Sequence, residues 1–215
     1  MRTLTREVRD ALTPHQVLDV LRKGNERFVN NLKANRNLLQ QVNETSEGQH
    51  PMAIVLSCID SRTSAELVFD QGLGDIFSTR IAGNVLNDDI LGSMEFACQV
   101  AGAKAIIVLG HSKCGAVKGA CDGVRLGNLS VLLQKIDGAI ALETETTGDR
   151  SAKNEAFVER VAELNVLLVK SQIMQRSPIL AQMVRASEIA IAGGMYDVDS
   201  GAVTFYDSRI LIGAS

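Results

Sequence analysis

Two cysteines and one histidine carry the chemistry legible in this chain. Ser57-Cys58-Ile59-Asp60-Ser61-Arg62 supplies one thiol, and His111-Ser112-Lys113-Cys114 supplies an imidazole and a second thiol. Two thiolates and a ring nitrogen are the soft-to-borderline donors expected of a catalytic zinc site that keeps its fourth position free. Asp60 and Arg62 follow the first thiol closely. An open metal position beside a charged pair points to hydrolytic or hydration chemistry. Two thiolates would also cancel the metal's charge, leaving bound water less acidic than on a three-histidine zinc, where it ionises near about pH 7. Turnover is therefore expected to rise with pH above neutrality, and a flat profile would count against zinc-bound hydroxide as the nucleophile.

These side chains need elements to position them. Met52 to Leu56 is a short apolar run bounded by Pro51 and leading straight into Cys58. Ile76 to Arg80 reads as a second strand ending at Ala82-Gly83-Asn84, and Ala105 to Leu109 as the most apolar strand, delivering His111. Between the last two, Asp88 or Asp89 is expected to cap a helix that stops at Gly102. Strands alternating with helices predict a parallel sheet. Ligands on such sheets gather at the carboxyl ends of the strands, so one crevice would hold both Cys58 and His111. Cys114 would sit at the start of the next helix, where the positive end of the dipole favours a thiolate.

The rest of the chain reads as scaffold. Thr13-Pro14 predicts an N-cap with proline in the first helical position, and Val17, Leu21 and Phe28 mark an amphipathic first helix. Residues 30–48 are polar and read as irregular or partly helical. Leu129, Leu132, Leu133 and Ile136 form one apolar stripe; 142–153 reads as a loop, Ala156 to Met174 as a long helix, and Ser177-Pro178 as the start of another. Glu188 to Ala192 and Ala202 to Tyr206 flank Asp199-Ser200-Gly201 and predict an antiparallel hairpin at the sheet edge. The fold class is thus α/β: a central, mostly parallel sheet flanked by helices, with an antiparallel edge hairpin. Residues 1–215 read as a single domain, with a helical arm (1–48), a metal-site core (49–123) and a closing region of helices and hairpin (124–215).

Composition narrows the function. A chain of 215 residues with net charge −3 gives no reason to propose nucleic acid or an anionic membrane as partner. No apolar run approaches the length of a membrane span. The opening Met1 to Asp10 is charged throughout and lacks a signal-peptide core, so a cytoplasmic location is expected. In a reducing compartment four cysteines are thiols or metal ligands. Cys58 and Cys114 are assigned to metal, Cys98 and Cys121 to packing. His15, in a first helical turn, is expected to face solvent.

These residues resemble the β-class carbonic anhydrases. Cys58-x-Asp60-x-Arg62 and His111-x-x-Cys114 carry the resemblance, together with Gly48-Gln49-His50-Pro51, Gly74-Asp75-Ile76-Phe77, Ala82-Gly83-Asn84 and Gly110-His111-Ser112-Lys113-Cys114-Gly115, in matching order from about Gln49 to Gly123. Gly24-Asn25-Glu26-Arg27-Phe28 and Tyr196-Asp197-Val198 fit less specifically. The resemblance implies reversible hydration of carbon dioxide to bicarbonate and a proton at one zinc ion per subunit, held by Cys58, His111 and Cys114. It implies that Asp60 pairs with Arg62 in an open form and swings onto zinc in a closed one. Gln49, Phe77 and Phe96 would line a substrate pocket across a dimer interface, and the Gly115 N–H would help position the substrate. It further implies a homodimer or homotetramer, with the N-terminal helix packing on a partner subunit. Members with a regulatory bicarbonate site have tryptophan three residues before the first cysteine. Here that residue is Val55, although Arg80 and Tyr196 fit other parts of that site. Gln49 is a feature of the plant-like subgroup, so an open zinc is expected at neutral pH. Phe96 stands where tyrosine is common, which removes a hydroxyl from the pocket wall.

Other readings of the same residues remain: hydrolysis of carbonyl sulfide or carbon disulfide at this zinc, a structural zinc fixed by four protein ligands including Asp60, or a redox sensor with a Cys58–Cys114 disulfide. His50, beside Gln49, is not counted among the site residues.

Overall fold

A computed structural model describes residues 3–213; of the charged opening stretch, Met1 and Arg2 lie outside them. Helix α1 (Arg6–Ala11) is short and charged and has no periodicity by which the sequence would reveal it. Helix α2 (Pro14–Val29) begins where Thr13-Pro14 predicts. Thr13 and Gln16 cap each other reciprocally: Gln16 N–H donates to Thr13 Oγ1 at 3.2 Å and Thr13 N–H to Gln16 Oε1 at 2.8 Å. Val17, Leu18 and Leu21 are fully buried, in one cluster with Val55 and Ile107. The apolar face of α2 therefore lies on the chain's own sheet. Helix α3 (Leu38–Glu44), capped by Asn37, is the helical part of the polar segment, and its Leu38, Leu39 and Val42 are exposed.

Strand β1 (Ala53–Ser57) is buried along its whole length, as a strand covered on both faces must be. The short helix α4 (Ala65–Val68) leads to β2 (Ile76–Arg80), which pairs parallel with β1. Helix α5 (Asp88–Glu95) is capped by Asn87, not by Asp88 or Asp89: Ile90 N–H donates to Asn87 Oδ1 at 2.8 Å. The two aspartates fill the first turn instead, where the helix dipole favours acids. The helix continues as one wide π turn, Phe96–Val100, and ends at Gly102 with φ of +84°. Strand β3 (Ala105–His111) is fully buried and includes His111 as its last residue.

Helices α6 (Gly115–Cys121), α7 (Gly127–Leu133) and α8 (Asp137–Leu142) follow, with Leu133 and Ile136 buried as the stripe predicts. After the expected loop come the long α9 (Glu155–Arg176) and α10 (Pro178–Arg185), the latter capped by Ser177. Strand β4 (Ala190–Tyr196) pairs antiparallel with β5 (Val203–Phe205), joining Gly194 to Phe205 and Tyr196 to Val203. The hairpin is thus present, but of its two strands β5 alone lies at a sheet edge, since β4 also pairs parallel with β3. β4 runs on through Gly193 and Gly194, which sequence alone reads as breakers. A Cβ at Gly193 would lie 2.7 Å from Val166 Cγ1, so glycine is what lets α9 settle on this strand.

The sheet order is β2-β1-β3-β4-β5. One face packs on α5, α9 and α10 through Ile54, Leu56, Ile106, Val108 and Ile191. The other face packs on α2 and α4. From β1 the chain moves outward to β2, then returns past β1 to β3. That reversal makes the carboxyl ends of β1 and β3 a topological switch point, where open α/β sheets bind ligands. No described helix is long and apolar enough to cross a membrane.

Candidate metal centre

Cys58 follows the last residue of β1, and His111 is the last residue of β3. Ser57 pairs with Leu109 across the ladder, so Cys58 and His111 emerge side by side at the switch point. Cys114 is the N-cap residue of α6, brought back over His111 by a turn in which Lys113 adopts φ of +57°. Glu159 on α9 holds that turn by accepting Lys113 N–H at 2.7 Å. The ligand atoms of Cys58, His111 and Cys114 lie within 4.8 Å of one another, and all three residues are buried.

The surroundings fit a cation in this cluster. His111 Nδ1 lies 2.9 Å from the Ser112 carbonyl, which only accepts, so Nδ1 carries the hydrogen and Nε2 presents a lone pair. Nε2 is buried and has no hydrogen-bond partner among the described residues, which is costly unless a ligand takes the lone pair. Hydrogen bonding from Cys114, helped by the Gly83 N–H at 3.3 Å, draws the Cys58 thiol well below its usual range against the effect of burial. Cys114 moves the opposite way, because a proton shared with Cys58 and burial both disfavour a second bare negative charge there. A divalent ion between the sulfurs removes that conflict and suits both as thiolates. Cys98 and Cys121 offer no such chemistry: burial pushes their thiols up to about 12 and about 11.

The loop after Cys58 turns its carboxylate away from the three donors. Arg62 Nε donates to Asp60 Oδ1 at 2.9 Å and Nη2 to Oδ2 at 2.8 Å, while the Arg62 backbone N–H adds a third bond at 3.0 Å. The guanidinium fork holds the Asp60 carboxyl far below the usual carboxylate range. Among the described residues no fourth side chain joins the cluster, so the site has the three-donor form of a catalytic rather than a structural zinc.

Arg80, which the sequence offered only as a partial fit to a regulatory site, braces the loop that carries Cys58 and Asp60. From the end of β2 its Nε donates to the Cys58 carbonyl at 2.9 Å and its Nη2 to the Asp60 carbonyl at 2.5 Å. Thr63 Oγ1 donates to the same two oxygens, at 3.1 and 2.9 Å. Gly83 and Asn165 are further supports: buried Asn165 on α9 donates to the Gly83 carbonyl at 2.8 Å, anchoring the residue whose N–H, in the preceding peptide, meets Cys58 Sγ. Nothing in the sequence pointed to these bracing roles beyond the strand-end position of Arg80 and the Ala82-Gly83-Asn84 triplet; the partial fit of Arg80 to a regulatory site pointed elsewhere.

The remaining predicted residues divide. Gly115 adjoins Cys114 as the first residue of α6. Phe77 and Phe96 meet edge to face, ring centres 6.2 Å apart, beside Ile54 in an open cavity of about 630 Å³. Ile54 and Phe77 are register partners. They therefore sit about 13 Å down the strand from Cys58, at about 3.3 Å per residue. Gln49 is exposed in another groove with Val42 and Leu73. One protomer alone does not bring these three to the metal cluster.

Residues 53–203 match the family model described as carbonic anhydrase. The chain is 33% identical over 195 residues to carbonic anhydrase 2 of Mycobacterium tuberculosis, covering 87% of this chain and 90% of that protein. It is 35% identical over 193 residues to a carbonic anhydrase of Mycolicibacterium smegmatis, covering 85% and 88%. The b-carbonic anhydrase CafA of Aspergillus fumigatus superposes with a TM-score of 0.70 at 29% identity, over 80% of this chain and 82% of that one. This chain belongs to the carbonic anhydrase family, and its fold and Cys-His-Cys cluster place it in the β class.

Proposed function

We propose that this protein catalyses the reversible hydration of carbon dioxide to bicarbonate and a proton, with one zinc ion per subunit held by Cys58, His111 and Cys114. The observation that carries the reading is the cluster of three buried donors with a free Nε2 at the switch point, beside a carboxylate that faces Arg62. Zinc, when bound, supplies the Lewis acidity that activates water for attack on carbon. Arg62 keeps Asp60 off the fourth position. Asp60, held ionised, accepts a hydrogen bond from the attacking water or hydroxide through a carboxylate oxygen and so aims its lone pair, while the proton released leaves to solvent. The Gly115 N–H helps position the substrate oxygen.

The substrate wall is completed by a second subunit: Gln49, Phe77 and Phe96 serve the partner's cluster across a dimer interface. Their distance from the metal donors of their own chain supports this, as does the exposure of Phe96, Leu38, Leu39 and Val42. The assembly is a homodimer or a pair of dimers. The Asp60–Arg62 pair and Gln49 support the plant-like subgroup with an open site. Two cysteines used as metal thiolates and two, Cys98 and Cys121, kept as thiols support a reducing compartment, the cytoplasm.

The test is a carbon dioxide hydration assay on zinc-quantified protein with Cys58→Ser beside it. The expected result is stoichiometric zinc and turnover in the parent, and loss of both in the variant. Zinc-loaded protein without turnover would refute the proposal.

A further inference from the structure

Lys170, on α9, is only 3% exposed and forms none of the ion pairs among the described residues. Its Nζ donates to the Arg209 carbonyl. A buried ammonium without a carboxylate is costly, and an apolar side chain would pack the same space without that cost. Burial first, and then the charge of Arg209, bring this amine down to about 8, so a substantial neutral fraction exists near physiological pH.

The groups around Nζ offer an anion one buried hydroxyl and the charge of Arg209. The Lys170 stem and the Tyr206 ring lie together over Gly193: a Cβ there would sit 2.8 Å from Lys170 Cδ and 3.4 Å from Tyr206 Cδ2. The Tyr206 hydroxyl is buried and has no hydrogen-bond partner among the described residues. Arg209 acts on both residues, and Arg160 also acts on Tyr206. The opposing charges are Glu159 and Glu163 on α9, with Asp207 at the rim. A cavity of about 570 Å³ lined by Arg160, Glu163, Leu167, Tyr206 and Arg209 opens beside them.

We propose that Lys170 is a carbamylation site, at which the amine takes up carbon dioxide to form a lysine carbamate. The Nζ lone pair forms the N–C bond, one C=O π pair moves onto oxygen, and one N–H proton leaves to solvent. The product is Lys–NH–COO⁻, with no oxidant or reductant required. Its remaining N–H continues to donate to the Arg209 carbonyl. Its carboxylate gains the Tyr206 O–H and the Arg209 guanidinium. The reagent is small, linear and uncharged, and therefore able to reach an amine that charged reagents cannot. The proposal does not rest on the metal centre, and its failure would leave the hydration reading untouched.

The experiment incubates the intact protein with isotopically labelled bicarbonate at about pH 8. The carbamate is then trapped by alkylation with triethyloxonium, and the label is located by peptide mass spectrometry. The expected result is one trapped carbamate on the peptide containing Lys170, absent from Lys170→Arg. Tyr206→Phe should lower its occupancy about tenfold, because a hydrogen bond to a charged group is lost. That variant removes a hydroxyl that bonds none of the described residues in the unmodified protein, so it keeps the fold and decides the matter even where Lys170→Arg does not fold. Label on the α-amine but none on Lys170, or equal occupancy in Tyr206→Phe, would overturn the proposal.

Discussion

Arg62 grips both carboxylate oxygens of Asp60, at 2.9 and 2.8 Å, and so turns the one nearby acid away from the cluster of Cys58, His111 and Cys114. The hold depends on the planar fork of a guanidinium, which an ammonium lacks. In Arg62→Lys the carboxylate is retained by a single point charge and competes for the metal. Turnover at neutral pH is expected to fall on the order of threefold to tenfold, matching the loss of roughly 1 kcal/mol from a charge-assisted bond. Zinc content should stay stoichiometric. Unchanged turnover in zinc-loaded Arg62→Lys would remove the gate.

Arg80 acts on the same loop from the opposite side. It donates to the carbonyls of Cys58 and Asp60 and so fixes the distance between a metal donor and the carboxylate. Arg80→Gln loses most of this and should reduce kcat by about tenfold, with a stability cost of about 1 kcal/mol, since each net hydrogen bond contributes about that much. Near-normal zinc affinity with reduced kcat would mark it as a positioning residue. A loss confined to thermal stability would mark it as merely structural.

Much of this site was legible because its signals are local. Strands β1 and β3 are apolar runs buried on both faces, and the donors follow them immediately in sequence. The proline-led helix starts were equally plain, because cap chemistry lies within four residues of the element it starts. What the sequence hid was long-range. The Arg80 clamp, the Asn165 bond to Gly83 and the Glu159 brace on Lys113 each join segments far apart in the chain. The passage of β4 through Gly193 and Gly194 was hidden for the same reason, since those glycines answer to α9 and β5 rather than to local propensity. Gln49, Phe77 and Phe96 were legible only through family resemblance, because their proposed role lies across a subunit boundary.

Gly83 unites backbone conformation with metal chemistry. Its φ of +69° is one that glycine adopts freely, and its N–H meets Cys58 Sγ. A Cβ there would lie 2.9 Å from Ile136 Cδ1 and 3.3 Å from Ala116 Cβ. Gly83→Ala should therefore destabilise the fold by about 1–3 kcal/mol through backbone strain and weaken zinc binding, because the sulfur loses a well-aimed donor. Chemical denaturation and competition with a chelator would measure the two effects separately. Parent-like values in both would show that the peptide tolerates the methyl group.

Asp70, just past α4, binds Arg27, Ala34 and Arg36 from the preceding segment, so its protonation in acid is expected to weaken the fold. Its carboxylate is 4% exposed and meets Arg27 Nε at 2.5 Å and Arg36 Nη1 at 2.5 Å, while the Ala34 N–H adds a further bond. Burial by itself would raise its pKa, but the hydrogen bonds from Arg27 and Arg36 outweigh that and hold the group below its usual value. A depressed carboxylate contributes its full stabilisation above the unfolded-state pKa, near about 3.9, and loses it as pH falls through the lower folded value. Asp70→Asn should cost about 3 kcal/mol at neutral pH, the usual penalty for removing one partner of a buried ion pair. The difference from the parent should shrink as the pH falls below about 4. Urea unfolding of both proteins at a series of pH values would measure this. A difference that stayed constant into acid would assign the cost to lost packing in place of lost charge.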